Sequence, residues 1–211
     1  MTAPIRIVSA DSAPQVDKGE ICMRDVLVVI DMQNDFITGP LGSSMAKSIV
    51  PKVVKKIREF DGLVLATQDT HDDLYLDSQE GKMLPAPHCI SGSEGWNLHT
   101  YVHKAIYRRH DLSVRDPIIQ KNTFGSIVLA DFLSDMNEKG ELGDVTLIGV
   151  CTDICVASNA ILLKTFLPEV KIIVDAACCA SITENRHDAA LRTMRSCQII
   201  VQNYFLFNRN I

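Results

Sequence analysis

The chain has 211 residues, 46% of them hydrophobic and 22% charged, with a formal net charge of -5. That length supports one sizeable core, the mixed composition excludes a disordered or fibrous chain, and the acidic balance offers no general attraction to nucleic acid or to an anionic membrane surface. The seven cysteines are odd in number and follow no framework spacing, and Met1 to Ile21 lacks a basic segment leading into a long apolar stretch, so a reducing cytoplasm is expected. No apolar run approaches the roughly 18 residues that would raise a membrane span.

Residues 1–24 read as an N-terminal extension ending in a short strand around Ile21 to Met23, and residues 25–211 as one domain. Val26 to Ile30 is a continuous apolar run that ends at Asp31. An amphipathic helix follows, with Pro51 near its first turn and Val53, Val54, Ile57 and Phe60 on one side. Its Lys52, Lys55, Lys56 and Arg58 read as a solvated face. Leu63 to Ala66 repeats the apolar run and ends in Thr67, Gln68 and Asp69. Thr70 to Gly95 is rich in Asp, Gly, Pro and Ser and has no period, the mark of a long loop of the kind that is often functional. Ile118 to Gln120 leads into Lys121. Helical patterns at Ser126 to Asn137, Asp153 to Phe166 and Glu184 to Ser196 then alternate with apolar runs at Val145 to Val150 and Lys171 to Val174, and Gln198 to Gln202 offers a last strand. Runs apolar throughout suit strands buried on both faces. Alternating with helices, they predict a three-layer α/β/α sandwich around a mostly parallel sheet.

In such sheets, sites collect beyond the carboxyl ends of the strands, which is where Asp31, Asp69 and the Cys151 to Cys155 segment fall. Cys155 is expected in the first turn of a helix, with Thr152 or Asp153 as N-cap. The free amides and dipole there favour a thiolate and could receive an oxyanion. A buried inert cysteine is the competing reading. Asp31 could take the thiol proton or simply brace a turn, and Lys121 could serve the site or lie on the surface. Asp69 and His71, one residue apart, leave the same face of an extended segment. With Glu80 and His88 from the loop they form a set of two imidazoles and two carboxylates suited to Zn, Fe(II) or Mn, unless each is only a solvated loop group.

Val28-Val-Ile-Asp-Met-Gln-Asn-Asp-Phe36, Lys121-Asn-Thr-Phe124 and Gly149-Val-Cys-Thr-Asp-Ile-Cys-Val156 resemble, in order and spacing, the three signature blocks of the isochorismatase-like cysteine hydrolases. The resemblance runs from about Asp25 to Gln202. It implies a catalytic triad of Asp31, Lys121 and Cys155, a non-proline cis peptide at Val150-Cys151, and an oxyanion hole from the backbone amides of Cys151 and Cys155. It also implies a homo-oligomer.

Gln68-Asp-Thr-His71 and Leu84-Pro-Ala-Pro-His88 are similar to the metal-binding segments of the nicotinamidase branch, which implies Asp69, His71 and His88 as ligands with Glu80 as a further one. The metal expected is one divalent ion, Zn ahead of Fe or Mn, that holds a pyridine nitrogen while the thiol attacks the carboxamide, with a place in NAD salvage. Phe36 and Phe124 match aromatic positions that flank the substrate ring. Leu84 replaces the usual aromatic and Ala86 is extra, so the pocket's shape departs from the branch. A metal-independent relative acting on another small amide or an isochorismate-like ether is the alternative. His99, His103 and His110 read as surface or satisfied groups, His187 as capping or packing at a helix start, and Cys178 and Cys179 as small apolar packing at a strand end.

Overall fold

The computed structural model describes residues 23–204; Ile21 and Cys22 of the expected first short strand lie outside them, and Met23 is not in a strand. Strand β1, Arg24–Ile30, begins one residue inside the segment read as the extension. After the short helix α1, Asn34–Ile37, comes α2, Ser44–Glu59. Then follow β2, Leu63–Asp69, and the loop, which contains a 3-10 turn at Tyr75–Asp77 and helix α3, Gln79–Met83. Helix α4, Thr100–Arg108, leads to β3, Ile118–Lys121, then α5, Ile127–Glu138, and β4, Leu142–Val150. A single π-helical turn, Thr152–Val156, opens into α6, Ala157–Phe166, followed by β5, Ile172–Ala180, α7, Glu184–Ser196, and β6, Ile200–Gln202.

The six strands form one sheet in the order β3-β2-β1-β4-β5-β6, every neighbouring pair parallel. Both faces are covered, and the alternation of side chains along each strand explains how. Val26, Val28 and Ile30 point into a core shared with Leu129 and Leu133 of α5, Leu163 of α6 and Leu191 of α7. Leu27 and Val29 point the other way, into a core with Val53 and Ile57 of α2 and Val102 and Ile106 of α4. A strand packed on both faces has no polar side, hence the unbroken apolar runs.

The winding reverses between β1 and β4, where consecutive connections leave toward opposite edges. This is the switch point at which a crevice opens beyond the strand ends. Gly149 fits the two strands together there: it faces Ile30 with φ 121°, and a Cβ would meet the Ile30 carbonyl oxygen at 2.1 Å. No larger residue fits that approach.

Two local expectations change. Pro51 lies inside α2 rather than at its first turn, because Ser43 caps the helix well upstream by accepting from the Ala46 amide. Its missing N–H falls on an exposed stretch, where water can reach the freed carbonyl of the preceding turn. Helix α4 is an addition: its buried Val102, Ala105 and Ile106 sit on one stripe among polar residues.

Candidate functional site

Four strand ends deliver the site. Asp31 follows β1, Asp69 ends β2, Lys121 ends β3, and Cys155 lies in the π turn after β4. Asp31 is fully buried and takes φ 47°, a left-handed conformation that Asp tolerates better than most side chains. Thr67 of β2 fixes its carboxylate, donating to Oδ1 at 2.6 Å while accepting from the Asp31 amide at 3.3 Å. The other oxygen, Oδ2, pairs with Lys121 Nζ at 2.8 Å. Lys121 also donates to Asp69 Oδ1 at 3.1 Å and to Cys155 Sγ at 3.7 Å. The structure thus brings Asp31, Lys121 and Cys155 into one buried cluster.

Burial is the leading influence on each of these groups. It raises Asp31, an effect that Lys121 opposes and Asp69 reinforces. It would lower Lys121, but the charges of Asp31 and Asp69 reverse this and hold the ammonium charged. For Cys155, burial and then the Asp31 charge push the thiol well above its ordinary range, and Lys121 only partly opposes them. Burial beside the Asp31 carboxylate thus works against the thiolate expected at a helix start, because a buried anion next to a carboxylate is unfavourable.

The setting of Cys155 differs in detail from an ordinary helix start. Cys155 precedes α6, in a turn where the Val156 and Ile154 amides both donate to the Cys151 carbonyl at 3.1 Å, and the Val150-Cys151 peptide is cis. Neither Thr152 nor Asp153 caps the helix. The Thr152 hydroxyl pairs with His187 Nδ1 at 2.8 Å, and Asp153 accepts from the Ser181 hydroxyl. His187 in turn does not cap α7, a role that Thr183 fills by accepting from the Arg186 amide.

The second cluster adjoins the first through Asp69, whose two oxygens face different partners. Oδ2 lies 3.0 Å from His71 Nε2 and 3.6 Å from His88 Nε2. One ligand atom from each of Asp69, His71 and His88 lies within 4.8 Å of the others. Glu80 Oε1 stands at the rim, 3.9 Å from His71 Nε2 and 3.8 Å from His88 Nε2. His88 Nδ1 is 2.9 Å from the Ala86 carbonyl. Donating its proton there leaves the lone pair on Nε2, the tautomer a metal ligand needs. Burial works to raise Asp69, but the two histidines facing it and the charge of Lys121 outweigh it and hold the carboxylate low. Two imidazoles aimed at one carboxylate oxygen, with a second carboxylate beside them, fit a divalent transition metal.

Several residues that complete the site carried no sequence signal of chemistry. Gln33, fully buried, pairs with Asp69 almost as a strand would, accepting from its amide at 2.7 Å and donating to its carbonyl at 2.8 Å. Tyr75 is 3% exposed. Its ring packs edge-on against both histidines, 4.8 and 4.9 Å away, and its hydroxyl donates to the Leu84 carbonyl at 2.9 Å. Asn159 bonds the Cys155 carbonyl at 2.8 Å. The ring of Phe36 lies 5.4 Å from that of His88, whereas Phe124 is 47% exposed. A cavity of about 490 Å³, lined by Thr70, His71, Asp72, Glu80 and Asn122 among others, opens on the histidine side.

Residues 25–203 match the isochorismatase domain. An uncharacterized isochorismatase family protein, PncA of Bacillus subtilis (strain 168), is 29% identical over 176 residues, which cover 80% of this chain and 93% of that protein. The crystal structure of the nicotinamidase/pyrazinamidase PncA from Bacillus subtilis superposes with a TM-score of 0.72 at 26% identity, covering 85% of this chain and 99% of that one. The pyrazinamidase of Pyrococcus horikoshii in complex with zinc shares the fold, with a TM-score of 0.67 at 24% identity over 86% and 99% of the two chains.

Proposed function

The chain belongs to the isochorismatase family of hydrolases, and from that premise we propose that it is a metal-dependent cysteine amidohydrolase that converts nicotinamide and water to nicotinate and ammonia. The observation that carries this reading is the double role of Asp69, which faces Lys121 with one oxygen and both histidines with the other. A carboxamide held by its ring at the histidines would present its carbonyl carbon to Cys155. The similarity to the Bacillus subtilis nicotinamidase/pyrazinamidase supports the same substrate class.

In this reading Asp69, His71 and His88 hold one divalent ion, Zn ahead of Fe or Mn, with Glu80 as a further ligand. When bound, the ion anchors the pyridine nitrogen and so orients the amide. Asp31 takes the Cys155 proton. That transfer removes the negative charge that most opposes the thiolate, apart from burial itself, and leaves Lys121 beside the sulfur, so the cluster's net charge does not change as the nucleophile forms. The thiolate attacks the carbonyl carbon, and the backbone amides of Cys151 and Cys155 receive the oxyanion. Protonated Asp31 returns its proton to the leaving nitrogen, so ammonia departs and a thioester remains. Asp31 then accepts a proton from water, whose oxygen attacks the thioester. Collapse expels the sulfur, Asp31 reprotonates it, and the acid is released. Phe36 and Phe124 flank the ring.

The test measures ammonia release from nicotinamide, pyrazinamide and aliphatic amides, with and without a chelator, alongside the metal content of the purified protein. The reading expects nicotinamide and pyrazinamide to be hydrolysed and the activity to fall on chelation and return with added Zn. Full activity of metal-free protein would instead place the chain with the metal-independent hydrolases.

A further inference from the structure

Asn159 stands in the inward face of α6, beside Ala160 and Leu163, in a layer that is otherwise apolar. An Asn there weakens the helix, because its side chain competes for backbone groups, and burying a primary amide is unfavourable unless it is hydrogen-bonded. Every strong contact that offsets this leads toward the site. Its Nδ2 donates to the Cys155 carbonyl at 2.8 Å and to the Phe124 carbonyl at 3.1 Å. Its Oδ1 accepts from the Ser126 amide at 2.9 Å.

Phe124 and Ser126 flank Gly125, and a Cβ on Gly125 would come within 3.2 Å of Leu162 Cδ2 and 3.4 Å of the Ser158 carbonyl oxygen. The segment leaving β3 is therefore laid directly on α6, and Asn159 is the amide that joins the two. Ser126 continues the chain of contacts by capping α5, accepting from the Leu129 amide at 3.2 Å.

We infer that Asn159 is a positioning residue that registers the nucleophile's turn against the loop following Lys121, setting the spacing of the Cys155 thiol from the Lys121 ammonium and the place of Phe124. It touches none of the reacting atoms and acts through the backbone of the residues that do. The inference rests on Cys155 being the nucleophile.

The test compares Asn159→Ala and Asn159→Ser with Leu133→Ala, which opens a cavity in the same helical layer away from the site. For each protein the thermal midpoint, the kcat and KM for ammonia release, and the pH profile of Cys155 alkylation by iodoacetamide are measured. Asn159→Ala should lose about ten- to hundredfold in kcat/KM, since small misplacements of reacting groups have effects of that order. The midpoint of its alkylation profile should move to higher pH, because Lys121 is the group that lowers the thiol. Asn159→Ser can still donate to the Cys155 carbonyl one turn back but cannot reach the loop, so it should show the same changes to a smaller degree. It also carries the test if the Ala variant does not fold. Leu133→Ala should lower the thermal midpoint and leave both kcat/KM and the alkylation profile at wild-type values.

Asn159 variants that merely reproduce Leu133→Ala would overturn the inference. A wild-type enzyme that keeps full activity with Cys155 alkylated would instead overturn the nucleophile assignment, a separate failure.

Discussion

The site has two halves built in different ways. Asp31 follows β1, Lys121 ends β3 and Cys155 lies in the turn after β4, so the parallel ladders of the sheet set the approach of all three segments. His71, Glu80 and His88 belong to the long loop after β2, and their places depend on side-chain ties: Tyr75 to the Leu84 carbonyl, His88 to the Ala86 carbonyl, and the Cys89 amide to Asp35 at 2.8 Å. The contrast separates chemistry from placement. Changes in the strand half should strike the rate of the chemical steps, and changes in the loop half should strike metal and substrate affinity.

The strongest test of that division is Cys155→Ala, which should lower ammonia release by roughly 10⁴-fold or more, as loss of a nucleophile does elsewhere, while the purified protein keeps its metal. Turnover near the wild-type rate would remove the strand half from the chemistry. Asp31→Asn keeps shape and removes the base. A fall in kcat of about 10²- to 10⁴-fold is expected, with KM little changed. His88→Ala should act on the other side, weakening Zn binding by more than the roughly 10- to 100-fold that follows loss of a ligand's outer partner. Excess Zn should restore part of its activity. Glu80→Gln tests the rim of the loop half, where a loss in metal affinity of about tenfold or more is expected; an unchanged affinity, measured by competition with a chelator, would remove Glu80 from the ligand set.

The smallest effect concerns the strand half alone. Burial lowers the His187 pKa against the opposing charges of Asp188, Asp153 and Glu184. The unfolded chain, with an ordinary value near 6.5, therefore binds more protons than the folded one at mildly acid pH. This contribution to stability is full above that pH and is lost as the pH falls toward the depressed folded value. Thermal midpoints measured against pH should show a slope in that window that His187→Gln reduces, the remainder coming from His99, which burial also lowers.

How much of this was legible in the sequence follows the same division. Strands buried on both faces announce themselves as apolar runs, and the polar residue ending each run marks the crevice, so Asp31 and Asp69 could be placed from pattern alone, whereas Lys121 needed the resemblance to be told from a surface lysine. The fold and the order of its layers followed from the alternation. Pattern is silent where a residue's part depends on what another segment brings to it. Gln33 looks like any turn residue until Asp69 is set beside it. Tyr75 lies in a stretch with no period, and Asn159 occupies an apolar helix face where nothing local calls for an amide. Helix α4 was hidden because its few buried residues stand among histidines and charges. Sequence reasoning names Asp31 as the carboxylate that could take the thiol proton, but it does not see how far burial opposes the thiolate.

The reversal of winding at β1 and β4 has a consequence for how the enzyme comes into being. The proposed base, Lys121 and the proposed metal ligands all precede the end of α5, while the Cys155 thiol and the turn that carries it belong to the part made afterwards. The central seam between the two parts is the pairing of β4 along β1. A ribosome therefore releases the proposed base and ligand set before the thiol, and the docking of β4 brings the Cys155 turn to them. Onset of turnover during refolding would report the closing of that central strand pair.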